Sequence, residues 1–274
     1  MALDLHKSAT PLRFANVSHP GILTAVRFQH GYSLHCYEPA DDLKPFVVHI
    51  WVQRRLAGEV PAPLEIQTGP NIYLFINANE AYIHGVHSQT FAYDASSTVW
   101  VGVKFQPGGL RAFWQRTMVE LADRTIPARD IFGHIDDTFC KRLVTMNDED
   151  IVHVLESLLR QHAPCVDTKL RQVADAMRVV ALADVEQVSD VVRMTGLKER
   201  SLQVLFREYV GVSLQWVLTR KRLLAAIHST HTTWADAAAM HGYSSQSHFI
   251  RAFKDATGMV PSAYVTYDER EYGL

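Results

Sequence analysis

Gln246, Ser247, Ile250 and Arg251 share one side of a helix-period stretch whose other side carries Phe249 and Phe253. The two phenylalanines are four apart, so they point one way into a core and leave the others outward. Arginine can bond a guanine edge bidentately and glutamine an adenine edge, the pairings that suit a major groove. An earlier stretch repeats this design, with Leu202, Leu205 and Phe206 inward and Arg200, Gln203, Val204 and Arg207 outward. The chain contains no G-x-S-x-G, P-loop or G-x-G-x-x-G. No catalytic residues and no cofactor are therefore expected, and the chain is read as a non-enzyme.

Helices must position these faces. Periodicity beyond residue 166 predicts helices at 168–183, 188–194, 199–209, 214–227, 234–240 and 246–256, with a short turn around 261–265. In the first of these, Leu170, Val173, Ala174, Met177 and Val180 or Ala181 are expected inward. Pro164 interrupts helix and Asp167 can cap the helix that starts at 168, which sets a boundary there. Gly196, Gly211, Gly242 and Gly258 punctuate the helices. The region is an internal repeat: short helix, glycine turn, longer helix, twice, joined by the 214–227 segment. That is the helix-turn-helix arrangement.

The run GYSSQSHFIRAFKDATGMVPSAY at 242–264 resembles the signature of AraC/XylS-type transcription regulators, as does GLKERSLQVLF at 196–206 with GVS at 211–213 and RKRLL at 220–224. The resemblance covers roughly residues 167–265. It implies a DNA-binding domain whose two recognition helices enter successive major grooves. By that analogy Arg200, Gln203, Val204, Gln246, Ser247, Ile250 and Arg251 face bases, and Lys198, Arg207, His248 and Lys254 face phosphates. Some positions depart from the pattern. Val204 stands where many relatives carry a polar reader and can touch only a thymine methyl. Lys198 replaces the usual serine cap, costing about 1 kcal/mol. Ala237, Val260 and Val265 also differ. The second unit is therefore expected to supply most of the sequence specificity.

The first half carries strand signals at 31–40, 44–55, 71–93 and 96–109, rich in Val, Ile, Tyr, Phe and Trp between turn residues. Val99, Val101, Val103 and Phe105 alternate onto one face. Leu110, Phe113 and Trp114 then have helical spacing, and Ile151, Val154, Leu155, Leu158 and Leu159 form one stripe. The runs GVKFQPGGL at 102–110 and LADRTIPARDIFG at 121–133 are similar to the sensing domain of a subset of the same regulators. The expected fold is α+β: an antiparallel β-sandwich or cupin-like barrel with appended helices over residues 1–163, an all-α helix-turn-helix domain over 167–265, and an acidic tail at 266–274.

Other features of this half have weaker claims. His84 and His87 are three apart, which on one strand puts them on opposite faces and argues against a shared metal. Cys36, Cys140 and Cys165 lack C-x-x-C spacing, so neither disulfides nor a cysteine metal site is expected, and a reducing cytoplasm fits. Pro107, Gly108 and Gly109 form a helix-entry turn or an anion cradle. The sheet aromatics Tyr32, Tyr37, Phe46, Trp51, Tyr73, Phe75, Trp100 and Phe105 either fill a core or line an apolar ligand cavity. The stripe around Ile151 is a dimer seam or an internal packing face. No effector-binding residue can be assigned.

The 274 residues carry a formal charge of only −2, which by itself argues against a nucleic-acid partner. The charge is not evenly spread. Residues 1–166 hold 14 Lys and Arg against 17 Asp and Glu, whereas residues 167–265 hold 12 against 9. A modestly basic segment thus lies between acidic ones, so affinity must lean on base contacts, two-groove docking or dimerisation. No apolar run approaches the roughly 20 residues of a membrane span, and the start lacks the charge and apolar pattern of a signal peptide. The expected partners are operator DNA, RNA polymerase, a small-molecule effector and a second copy. The rival expectation is a cupin-like binding protein or enzyme whose helix-turn-helix region serves another interaction.

Overall fold

Alternating β-branched and aromatic residues form the strands the sequence predicts. In the computed structural model, which describes residues 32–56, 58, 64–66, 69–93, 97–228, 233–258 and 260–262, they are β1 (Tyr32–Tyr37), β2 (Val47–Arg55), β4 (Tyr73–Ile76), β5 (Ala81–His84) and β7 (Val99–Phe105). With β8 (Thr125–Pro127) they make a six-stranded antiparallel sheet in the order β1-β2-β7-β4-β5-β8. β3 (Leu64–Ile66) and β6 (Phe91–Tyr93) form a separate antiparallel pair. β3 and β8 carry no strand signal of their own, being three residues each. Pro127 fits because β8 is an edge strand.

The pleat sorts the side chains. Ile50, Val52, Leu74, Ile76, Ile83, Val101, Val103 and Phe105 face the main core. The alternate residues Trp51, Phe75, Tyr82 and Trp100 interlock on the other face, with ring centroids 5.2–6.1 Å apart. Gly102 makes room there, since a Cβ would lie 2.5 Å from the Trp51 ring. Tyr37, Phe46 and Phe105 belong to the main core and so cannot line a cavity on the aromatic face.

Helices cover the core face. A 3₁₀ turn (Gly109–Ala112) replaces the helix expected after Pro107, and Gly108 adopts φ +84° to enter it. A second 3₁₀ turn (Met118–Leu121), α1 (Arg129–Phe132), α2 (Asp137–Val144) and α3 (Asp148–Gln161) come next. In α3, Ile151, Leu155, Leu158 and Leu159 of the expected stripe are buried and Val154 is half-buried, with Val152 buried as well, so that stripe packs within the chain. The start and the middle of α3 are tied to the sheet side. The Asp148 carboxylate accepts from Tyr37 at 2.6 Å, Arg54 at 2.7 Å and His35 at 2.9 Å. Glu156 accepts from the Ala40 N–H at 2.7 Å. Burial alone would raise Asp148, but these hydrogen bonds hold its carboxyl below the usual range.

His84 and His87 depart from expectation. β5 ends at His84, so the opposite-face argument stops there, and the following turn brings the two rings into a stack at 3.8 Å. Among the described residues no three His, Cys, Asp or Glu side chains are grouped to hold a metal. Burial raises Cys36 and Cys140 to about 11, which keeps both as thiols. None of the described helices is long and apolar enough to cross a membrane. The acidic tail at 266–274 lies outside the described residues, as does most of the 261–265 turn.

Buried imidazoles give the fold a pH dependence. Burial, with Lys104 adding to it, lowers His49 from 6.5 to about 4. Burial beside His87 lowers His84 to about 3. Below pH 6.5 the unfolded chain takes up protons that the native state refuses, so stability is full above that pH and falls with acidification. Unfolding free energy is expected to drop by about 1 kcal/mol or more between pH 6.5 and 5. Urea titrations at stepped pH check this, with a shallower slope expected for His49→Gln.

Candidate nucleic-acid interface

The C-terminal helices fall where the periodicity placed them: α4 (Thr168–Val180), α5 (Val188–Thr195), α6 (Glu199–Tyr209), α7 (Leu214–His228), α8 (Trp234–Met240) and α9 (Gln246–Thr257). Asp167 caps α4, accepting from the Leu170 N–H at 2.7 Å, and its other oxygen receives the Tyr209 hydroxyl. Ala174 is exposed rather than inward and Ala176 is buried instead, while of Val180 and Ala181 it is Val180 that is buried. A stripe read at 3.6 residues per turn smears by about one position over such a length.

Each of the two repeats is built by local signals. In the first, the Asp190 carboxylate accepts from the Gln187 N–H at 3.0 Å and starts α5. Gly196 turns the chain at φ +70° into α6. Lys198 at the α6 N-cap makes no side-chain capping bond, as its type predicts. In the second, Thr233 caps α8 by accepting from the Asp236 N–H at 3.1 Å. Gly242 turns at φ +67°, and Ser245 caps α9 by accepting from the His248 N–H at 3.1 Å.

Inward anchors fix which face of α6 and α9 is free. Leu202, Phe206, Phe249 and Phe253 are fully buried. Trp234 stacks on Phe249 at 5.8 Å and Tyr243 meets it edge-on at 5.1 Å. Arg200, Gln203, Val204 and Arg207 are then exposed on α6, and Gln246, Ser247, His248, Arg251 and Lys254 on α9. Ile250 is half-buried and packs against the small core of the second unit. His248 Nδ1 lies 3.1 Å from the Ser244 hydroxyl.

The cations here are uncommitted. Among the described residues Lys198, Arg200, Arg207, Arg251 and Lys254 form no ion pair, whereas Lys169, Arg178 and Arg193 are each paired with a carboxylate. Glu199 is a member of this surface that sequence reasoning missed: its carboxylate accepts from Gln203 Nε2 at 3.0 Å. The i, i+4 spacing was the available signal. Glu199, Gln203, Arg207, Ser213 and Gln215 line a depression of about 290 Å³ between α6 and the start of α7. Two helices, each entered through a glycine turn and anchored by buried apolar side chains, thus present hydrogen-bonding and cationic side chains on an open surface, which suits polyanion binding with base-edge readout.

One family match agrees with the helix-turn-helix geometry. Residues 191–267 match the family described as "Helix-turn-helix domain", and residues 35–127 match "Domain of unknown function (DUF6597)". Among solved structures the chain is similar to apo ToxT from Vibrio cholerae strain SCE256, at 12% identity over 80% of this chain and 97% of that one, TM-score 0.39. It is likewise similar to a 1.65 Å structure of ToxT from Vibrio cholerae, at 11% identity over 86% and 98%, TM-score 0.38. A third is unsaturated-fatty-acid-bound ToxT from strain SCE256, at 12% identity over 76% and 95%, TM-score 0.37.

Proposed function

We propose that this chain is a DNA-binding transcription regulator of the AraC/XylS type, a reading its 191–267 helix-turn-helix match supports, and that α6 and α9 read an operator in successive major grooves. Arg200, Gln203 and Val204 on α6, with Gln246, Ser247, Ile250 and Arg251 on α9, face base edges. Lys198, Arg207, His248 and Lys254 hold phosphates. The observation that carries this reading is the pair of helices, each following a glycine turn and anchored by buried apolar side chains, whose outward cations form no ion pair among the described residues.

Residues 167–265 are the proposed DNA-binding domain and residues 1–163 the proposed sensing domain, which takes up an effector or a second copy of the chain and relays the event to RNA polymerase. The aromatic face of the sheet is the proposed effector seat, because it groups Trp51, Phe75, Tyr82 and Trp100 near the buried polar side chains His49 and Gln53. Coupling requires that effector and DNA favour different domain arrangements.

Gel shifts with purified protein test the DNA reading. Few phosphate contacts supply the charge term, so the log–log salt slope is expected at about −3 to −4, about one unit for each neutralised phosphate. Lys254→Ala lowers affinity about equally on every sequence and reduces that slope by about one. An unchanged slope removes Lys254 from the phosphate set.

A further inference from the structure

The second helix-turn-helix unit has its own small core. Leu223, Ala226, Ala238, Tyr243, Phe249, Phe253 and Ala256 cluster apart from the large core that holds the first unit together with the sheet and its helices. Within the C-terminal region the two clusters are joined along α7, whose Leu214, Val217 and Leu218 belong to one and Leu223 and Ala226 to the other. A one-helix connection leaves the angle between two such bodies soft unless something else braces it.

The turn after β5 reaches that second unit. The Thr90 N–H donates to the Ala256 carbonyl at 3.0 Å, and its hydroxyl to the Thr257 carbonyl at 3.4 Å. These are end carbonyls of α9, which a helix cannot satisfy internally. Two residues earlier, the Ser88 carbonyl accepts from Arg220 Nη2 on α7 at 2.5 Å.

The same turn is anchored to the segment that touches the first unit. The Ser88 N–H and hydroxyl donate to Asp123 Oδ1 at 2.7 and 2.9 Å, and the Asp123 N–H donates to the Val86 carbonyl at 2.9 Å. Just before Asp123, the Met118–Leu121 turn packs on α6. The Thr117 hydroxyl donates to the Arg207 carbonyl at 3.4 Å. Gly211, at φ +95°, lets the chain come so close that a Cβ there would lie 2.7 Å from the Met118 carbonyl oxygen.

Arg220 itself is an unusual choice for a purely structural contact. It is 5% exposed, lies over the Trp216 ring at 4.9 Å, and its Nη1 is buried without a hydrogen-bond partner. No carboxylate pairs with it among the described residues. A buried guanidinium without a counter-charge is replaceable by an apolar side chain at little or no loss of stability.

We infer that the segments 85–90 and 117–123 form one bracket that sets the second reading head against the first, with Thr90 and Arg220 as positioning residues for DNA recognition. This rests on the two-groove reading proposed above. The bracket makes the spacing of the two recognition helices a property of the sheet region, so a signal received there is transmitted as a change in the operator spacing the protein accepts. The stacked His84 and His87 rings sit at the root of the same turn.

The test compares the wild type with the double variant Arg220→Met, Asp123→Gly. Glycine tolerates the φ of +53° at position 123, so the second change removes only the carboxylate. The probes are a selected operator and the same operator with one base pair inserted between its half-sites, a rotation of about 34°. The wild type is expected to lose at least 30-fold in affinity on insertion and the double variant less than 5-fold, with the melting temperature retained. Equal losses in both proteins overturn the bracket while leaving the two-groove reading intact. A wild type indifferent to the insertion overturns both. Hydrogen exchange without DNA gives an independent readout: the variant is expected to lose at least 10-fold protection in α9 but none in α6. Unchanged protection in α9 overturns the bracket whatever the DNA result.

Discussion

Phe249→Ala is expected to destabilise the second helix-turn-helix unit by about 3–5 kcal/mol, the usual range for emptying a fully buried phenylalanine site. Phe249 is completely buried and touches Trp234, Tyr243 and Phe253. The cluster around it is small and separate from the main core, so few neighbours can shift to refill the space. The effect should also be local. Hydrogen exchange is expected to show lost protection across α8 and α9, while the sheet and α4–α6 keep theirs. Fluorescence from Trp234 should change at lower denaturant than the loss of sheet signal. A single cooperative transition for the whole chain would contradict the separation of the two cores. A loss under about 1 kcal/mol would contradict the burial of this ring.

Arg251→Ala is expected to weaken operator binding by about 2–3 kcal/mol, roughly 30- to 150-fold, and to flatten discrimination at one base pair. Arg251 is exposed on α9, forms no ion pair among the described residues and lies within one turn of the anchoring phenylalanines, so its guanidinium is free to fork onto a guanine edge. Gln203→Ala should cost less. Its amide is held by Glu199 at 3.0 Å, and its neighbour Val204 offers no side-chain hydrogen bond. A carboxylate only accepts, so the Gln203 nitrogen must turn toward Glu199 and the oxygen away from it. Competition gel shifts with each single-base operator variant give the ranking directly. A larger loss of discrimination from Gln203→Ala than from Arg251→Ala would sink the claim that the second head carries most of the specificity.

The two helix-turn-helix units were legible because their determinants are local. Ser245, Thr233 and Asp190 cap within three residues, Gly196 and Gly242 sit at positive φ, and the apolar spacing of Phe249 and Phe253 alone orients α9. The principal strands were legible for the same reason, since alternation in 99–105 sorts Val101 and Val103 from Trp100 in one step. Three-residue strands such as β8 were not, because they are defined by their partners and not by their own pattern. The stacking of His84 on His87 was hidden because a face rule valid inside a strand ends where the strand does. Ala176 was mistaken for Ala174 because alanine carries little periodic signal. The bracket was out of reach altogether. Ser88 and Arg220 are 132 residues apart in sequence, and the acceptor is a backbone carbonyl that any residue would supply.

The central claim is that two matched helices on this chain read DNA sequence through major grooves, and selection from a random duplex library by the purified protein, repeated at two salt concentrations, tests it most directly. The expected result is enrichment of a bipartite motif with half-sites about one helical turn apart, a shared affinity loss on raising salt, and collapse of the half-site read by α9 in the Arg251→Ala protein. Salt-sensitive binding with no preferred sequence, in the presence and absence of cell extract, would contradict it.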